Sequence, residues 1–193
     1  MSATAKFPVR MSSPDFLDWE PGDGSRHDLV DGERRAMAPA GTIHAFQQNE
    51  LGSLIRNHLR ERGSACEALA NPGVIPHLLS AHNVRVPDLG ETCSALAPGQ
   101  PTLADPVLLI EILSPSNQAQ NWSNVWAYAS IPSVREILVL HSNRMGAELL
   151  RRKSDGGWPE EPEHITVGDL MLDSIGFRIA MIELYARTGL KSD

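Results

Sequence analysis

Asp88 and Glu111 are the two residues whose settings point to chemistry. Asp88 ends an alternating stretch, Asn83-Val84-Arg85-Val86-Pro87-Asp88. Pro87 has no N–H, so a strand ladder must open beside Asp88. Glu111 stands within Val107–Leu113, whose other six residues are all apolar. An isolated buried carboxylate is costly, so Glu111 must be paired, hydrogen-bonded or bound to a metal. Two acids on neighbouring strands can converge on one hard cation. Mg²⁺ takes oxygen ligands and keeps several waters, which leaves room for a substrate phosphate. A buried ion pair is the competing account, with Arg85 as the arginine at hand.

The elements that would position these acids can be read from pattern. Ser13 as N-cap and Pro14 at the first position start a short helix that Gly22-Asp23-Gly24 ends. His27 to Met37 reads as a hairpin turning on Asp31-Gly32. Residues 42–62 read as one helix, with Leu51, Leu54, Ile55 and Leu59 on a stripe and Gly63 as the stop. His44 and Gln48 share one face of it. Short strands are expected around Ser64–Leu69, Gly73–His77 and Asn83–Leu89, then a loop over 94–105. The continuous apolar run from Val107 reads as a central strand covered on both faces. A helix over 118–130 would turn Trp122, Val125 and Trp126 inward, making both tryptophans core rather than stacking platforms. Strands at Val134–His141, Ala147–Arg152 and Phe177–Ile179 precede a closing helix, Ile182–Thr188. This order gives an α/β (α+β) fold, a mixed sheet between helices. Residues 1–11 read as a loose tail and 12–190 as one domain.

Composition narrows the function. The 193 residues carry 41% hydrophobic and 21% charged side chains, ordinary for a globular chain. No stretch approaches the ~20 apolar residues of a membrane span, and the first ten residues hold no secretory core. A cytoplasmic protein is therefore expected. Cys66 and Cys93 form no CxxC pair and suggest no zinc site; a reducing cytosol argues against a bridge between them. The net charge of −7 argues against passive adhesion to nucleic acid. It does not exclude a nuclease, because metal-binding acids add negative charge themselves. GxGxxG, Walker, GxSxG and HExxH patterns are all absent.

A set of ordered motifs adds to this reading. Leu29-Val30-Asp31-Gly32-Glu33, His44, Val86-Pro87-Asp88-Leu89 and Glu111-Ile112-Leu113-Ser114-Pro115-Ser116 come first. Trp126-Ala127-Tyr128 and Val134-Arg135-Glu136-Ile137-Leu138-Val139 follow. Together they resemble the Uma-two family of putative restriction endonucleases, within the PD-(D/E)xK nuclease superfamily, over roughly residues 11–190. The resemblance implies a restriction-endonuclease-like core and a Mg²⁺- or Mn²⁺-dependent endonuclease acting on DNA. Asp88, Glu111 and the backbone carbonyl of Ile112 would hold the metal. Glu33 and His44 fall at the family's upstream acid and histidine. Glu33 would hold a second metal or its water, or else is an exposed hairpin residue. His44 would orient water or touch phosphate, or else is a polar residue at a helix start. Many enzymes of the superfamily act as homodimers, which is expected here by the same resemblance.

One departure is serious. The superfamily's Lys two residues after the Glu is Leu113 here, and the family's alternative, four residues before the Tyr, is Asn124. The chain has fourteen Arg but only Lys6, Lys153 and Lys191. Gln118, Gln120, Asn124 and Arg85 are the candidates to replace that Lys in part. The alternative is a catalytically degenerate nuclease fold that binds nucleic acid or a protein partner. Arg34 and Arg35, and Arg56, Arg60 and Arg62 on the long helix, would either track phosphates or form a solvated face.

Overall fold

The computed structural model describes residues 10–114 and 118–192, and for 118–121 the backbone alone. In chain order the elements are α1 (Ser13–Leu17), β1 (His27–Val30), β2 (Glu33–Ala36), α2 (Thr42–Glu61), β3 (Glu67–Ala70), β4 (Leu89–Thr92) and β5 (Pro106–Leu113). Then come α3 (Gln118–Ala129), β6 (Glu136–His141), β7 (Ala147–Arg151), β8 (Glu163–Ile165), β9 (Asp169–Leu172), β10 (Phe177–Ala180) and α4 (Met181–Leu184).

Six strands make one mixed sheet in the order β3-β4-β5-β6-β7-β8. Only β5 and β6 run parallel. A parallel pair needs a crossover, and α3 lies in that connection. β5 is central and buried at every position because both its faces are covered, which is why its sequence is a continuous apolar run. On one face Leu51, Ile55 and Leu59 of α2 pack on Leu108, Ile110 and Ile112. The β9–β10 hairpin and α4 extend that core through Leu170, Leu172, Phe177, Met181 and Leu184. On the other face Val125 and Tyr128 of α3 meet Leu109, Leu113, Ile137 and Val139. The β1–β2 hairpin stands apart, with Phe16, Leu29 and Val84 as a third small core.

Several expectations shift. The N-cap of α1 is Ser12, whose Oγ accepts from the Asp15 N–H at 3.2 Å. Ser13 is instead buried and donates to the Ser80 carbonyl at 2.7 Å. Met11 is no loose tail: its N–H donates to the Gly32 carbonyl at 3.0 Å. Of the tail expected over residues 1–11, residues 1–9 lie outside the described residues. Residues 73–77 and 83–88 make only isolated bridges, Val74 with Arg85 and Leu29 with Val84. The ladder proper begins at Leu89 because Pro87 cannot donate. Trp126 is 51% exposed, so α3 turns Val125 and Tyr128 inward and leaves Trp126 outside. The closing helix α4 is short, and β8 and β9 add strands that pattern did not reveal.

The cysteines are joined, against expectation. Antiparallel pairing of Glu67 with Thr92 makes Cys66 and Cys93 the next opposed residues. The register, invisible in the spacing of the two residues, brings them together.

Candidate metal centre

Glu111 and Ile112 sit near the end of β5, with side chains on opposite faces. Glu111 shares the α3 side with Leu109 and Leu113. Asn124 and Tyr128 are one helical turn apart, so both reach it. The Tyr128 hydroxyl donates to Glu111 Oε1 at 2.5 Å and the Asn124 Nδ2 at 3.2 Å. Arg85, the expected competitor for Glu111, donates instead to the Leu29 carbonyl and sits beside Asp28.

Asp88 lies just before β4 and is buried like Glu111, at 6% and 5% exposure. Its Oδ2 accepts the Ile112 N–H at 2.7 Å. His44 Nε2 lies 2.9 Å from Oδ1. Gln48, one turn further along α2, donates to the Asp88 backbone carbonyl at 2.8 Å. The shared face of His44 and Gln48 is thus the face that grips Asp88. Continuing the Leu89–Ile110 register places Pro87 opposite Ile112. A residue in such a hydrogen-bonded pair directs both its N–H and its carbonyl at the partner strand. The Ile112 N–H is taken by Asp88, and Pro87 has no donor for the Ile112 carbonyl.

The hairpin acid at this place is Asp28 rather than Glu33. Glu33 is exposed at the turn end of β2, opposite Val30, and does not line the cleft. Asp28 is buried, accepts the Val86 N–H at 2.9 Å and bonds Asn124. Sequence reading missed it, although the Asp31-Gly32 turn already sets Asp28 opposite Arg35 and on the face of Val30. Tyr128 was likewise missed as a site residue; its signal was the four-residue spacing from Asn124.

Asp28, His44, Asp88, Glu111, Ile112 and Asn124 line one cleft of about 470 Å³. Arg26 and Arg35 join its wall from the hairpin, together with the stretch Met37 to Gly41 that follows β2. Burial pushes the Asp28 carboxyl up to about 6, against the pull of the Val86 N–H and Arg85. Glu111 is raised well above the usual carboxylate range, first by burial and then by the nearby charge of Asp88. Tyr128 is raised as well, by burial and by Glu111, so it stays a donor.

Among the described residues no three His, Cys, Asp or Glu side chains form a ready metal cage. The donors that the resemblance names are the Asp88 and Glu111 carboxylates and the Ile112 backbone carbonyl. That is a hard, oxygen-only set, and it fits an ion that retains most of its water. Leu113 is buried in the α3-side core and Asn124 occupies the alternative Lys position. Lys153 and Lys191 do not line the cleft. Gln118 and Gln120 lie outside the residues whose side chains are described. Arg34 stacks on Trp19, with its guanidinium carbon 4.6 Å from the ring centre. Arg56 and Arg60 on α2, and Arg62 at its C-cap, are exposed and do not line the cleft.

Comparison with known proteins agrees with this architecture. The Uma2 (Uma-two) family model, described as "putative restriction endonuclease", matches residues 13–180. An uncharacterized protein of Synechocystis sp. is 28% identical over 159 residues, covering 81% of this chain and 82% of that one. The crystal structure of a putative nuclease from Anabaena variabilis matches with a TM-score of 0.75. That match covers 92% of this chain and 99% of the other at 15% identity, a likeness of fold.

Proposed function

The chain belongs to the Uma2 family of putative restriction endonucleases, and from that premise we propose that it is a metal-dependent endonuclease hydrolysing phosphodiester bonds of DNA. Family membership supports nuclease function. The observation that carries the finer reading is the convergence of Asp88, Glu111 and the unladdered Ile112 carbonyl on one cleft. These three would hold Mg²⁺ or Mn²⁺, which supplies a Lewis acid for the scissile phosphate and acidifies an attacking water.

The chain's own residues then have separate tasks. His44 and the Ile112 N–H hold the Asp88 carboxylate in one orientation. Tyr128 and Asn124 do the same for Glu111 and leave its other oxygen for a ligand. Asp28, its carboxyl pushed up to about 6 by burial, lines the same cleft and is placed to take the proton of the water, a different task from the second metal or its water that the resemblance implied for Glu33. Arg26 and Arg35 supply the positive wall that a phosphate requires. A homodimer would present two such sites to two strands, and light scattering at assay concentration tests for it.

Asn124 in place of a Lys favours a second reading, a nuclease fold that binds without cutting. A neutral amide orients water but adds no net charge to the transition state. One assay separates the two. Plasmid and single-stranded DNA are incubated with Mg²⁺ or Mn²⁺, with EDTA, and with the Glu111→Ala variant. Cutting that disappears in both controls supports the enzyme. Metal or DNA binding without cutting supports the second reading.

A further inference from the structure

The Cys66–Cys93 bridge and Asp88 stand at opposite ends of the same short ladder. β3 is an edge strand of four residues, and β4 is its one strand neighbour. Its pairing runs from Glu67–Thr92, beside the bridge, to Ala70–Leu89, beside Asp88. Beyond that last pair Asn71 takes over. Its N–H donates to the Asp88 carbonyl at 3.0 Å, and its side-chain oxygen accepts from Gln48 at 3.0 Å and from the cleft residue Arg26. Asn71 holds a left-handed backbone, φ 51°, which Asn tolerates better than most residues. The end of β3 thus fixes the main chain of Asp88 and the guanidinium of Arg26 together.

Besides its pairing with β4, β3 is held by two half-buried side chains, Ala68 against the α2-side core and Leu69 against the α3-side core. Its side chains are exposed or half-buried, and two of the four are Ala. β4 adds an internal cost. Glu91 is fully buried, and neither carboxyl oxygen has a hydrogen-bond partner. Short edge segments with few apolar contacts open as units. A covalent link at one end then decides whether the far end stays paired. Cys93 is exposed and Cys66 half-buried, so a small thiol can reach the bond.

We propose that the Cys66–Cys93 disulfide is a thiol-sensitive clip that holds β3 on β4 and, through Asn71, keeps Asp88 in place. A dithiol reductant supplies two electrons and two protons; the S–S bond breaks, Cys66 and Cys93 each leave as a thiol, and the reductant becomes a disulfide. The placement of Asp88 is affected whether or not the metal reading holds; only the consequence for activity rests on that reading.

The test compares the full chain after air oxidation and after reduction, by amide hydrogen exchange followed residue by residue. The Asn71 and Ile112 amides, both bonded to Asp88, should exchange at least tenfold faster in the reduced chain. Amides of the β6–β7 hairpin should not change, and reoxidation should restore the slow rates. Asn71→Gly, which keeps the backbone conformation but loses the side-chain acceptor, should speed Ile112 exchange in the oxidised chain. Equal rates in both states overturn the proposal. So does a uniform rise across β6–β7, or two free thiols by alkylation after oxidation. Mn²⁺ titration of both states is read separately. No binding in either state removes the metal reading and leaves the exchange result to judge the clip; weaker binding only in the reduced state links the two.

Discussion

Glu111 and Asp28 carry the electrostatic strain of the cleft, and each makes a separate prediction. Asp28 is raised to about 6 from an ordinary 3.8. A raised acid holds extra protons in the folded state, so its contribution to stability is complete below pH ~4 and is lost as pH rises through ~6. Asp28→Asn keeps an acceptor for the Val86 N–H and cannot ionise. Urea unfolding should find it more stable than the parent at pH 7.5, by on the order of 3 kcal/mol, with the gap closing near pH 4. Asn124 bonds both acids, so Asn124→Lys would set an ammonium between two carboxylates. If positive charge is what the site lacks, metal-dependent cleavage should rise by about tenfold or more, on the scale of one preorganised donor. A rate unchanged in the folded variant would show that the amide already does the work of the Lys.

Among the elements, the start of β4 has the largest consequence. Pro87 stops the ladder with β5, which leaves the Ile112 carbonyl without a backbone donor and lets the Asp88 side chain take the Ile112 N–H. Pro87→Ala restores an N–H opposite that carbonyl. Calorimetric titration should then show weaker Mn²⁺ binding, by about fivefold to tenfold, the scale of one hydrogen bond of about 1 kcal/mol. α2 acts on the same point from the other side through His44 and Gln48. α3 acts on Glu111 through Asn124 and Tyr128.

For the molecule as a whole, charge is the governing quantity. The net charge is −7, and the cations in the cleft wall are Arg26 and Arg35. With about two phosphates neutralised, log affinity for duplex DNA should fall with log salt at a slope near −2. Fluorescence anisotropy of the Glu111→Ala variant across a salt series measures it. A slope several times steeper would mean that Arg56 and Arg60 on α2 and Arg62 at its C-cap also meet the backbone. Among the described residues no helix is long and apolar enough to cross a membrane.

Much of the site was legible in the residues themselves. An acid inside an apolar strand, an acid after a proline, and two polar residues one helical turn apart are local statements, and Glu111, Asp88, His44 and Gln48 all proved neighbours. The hairpin turning on Asp31-Gly32 and the long α2 followed from turn chemistry and periodicity for the same reason. What pattern missed depends on register. Whether Asp28 or Glu33 enters the cleft depends on how the hairpin docks, and both share one face. Whether Cys66 meets Cys93 depends on a single pairing between β3 and β4. Helical spacing from Trp122 and Val125 puts Trp126 in the core, yet α3 turns Val125 and Tyr128 to the sheet and leaves Trp126 outside. Side-chain identity and spacing dictate local geometry, while the offset between segments distant in the chain is set only when they pack.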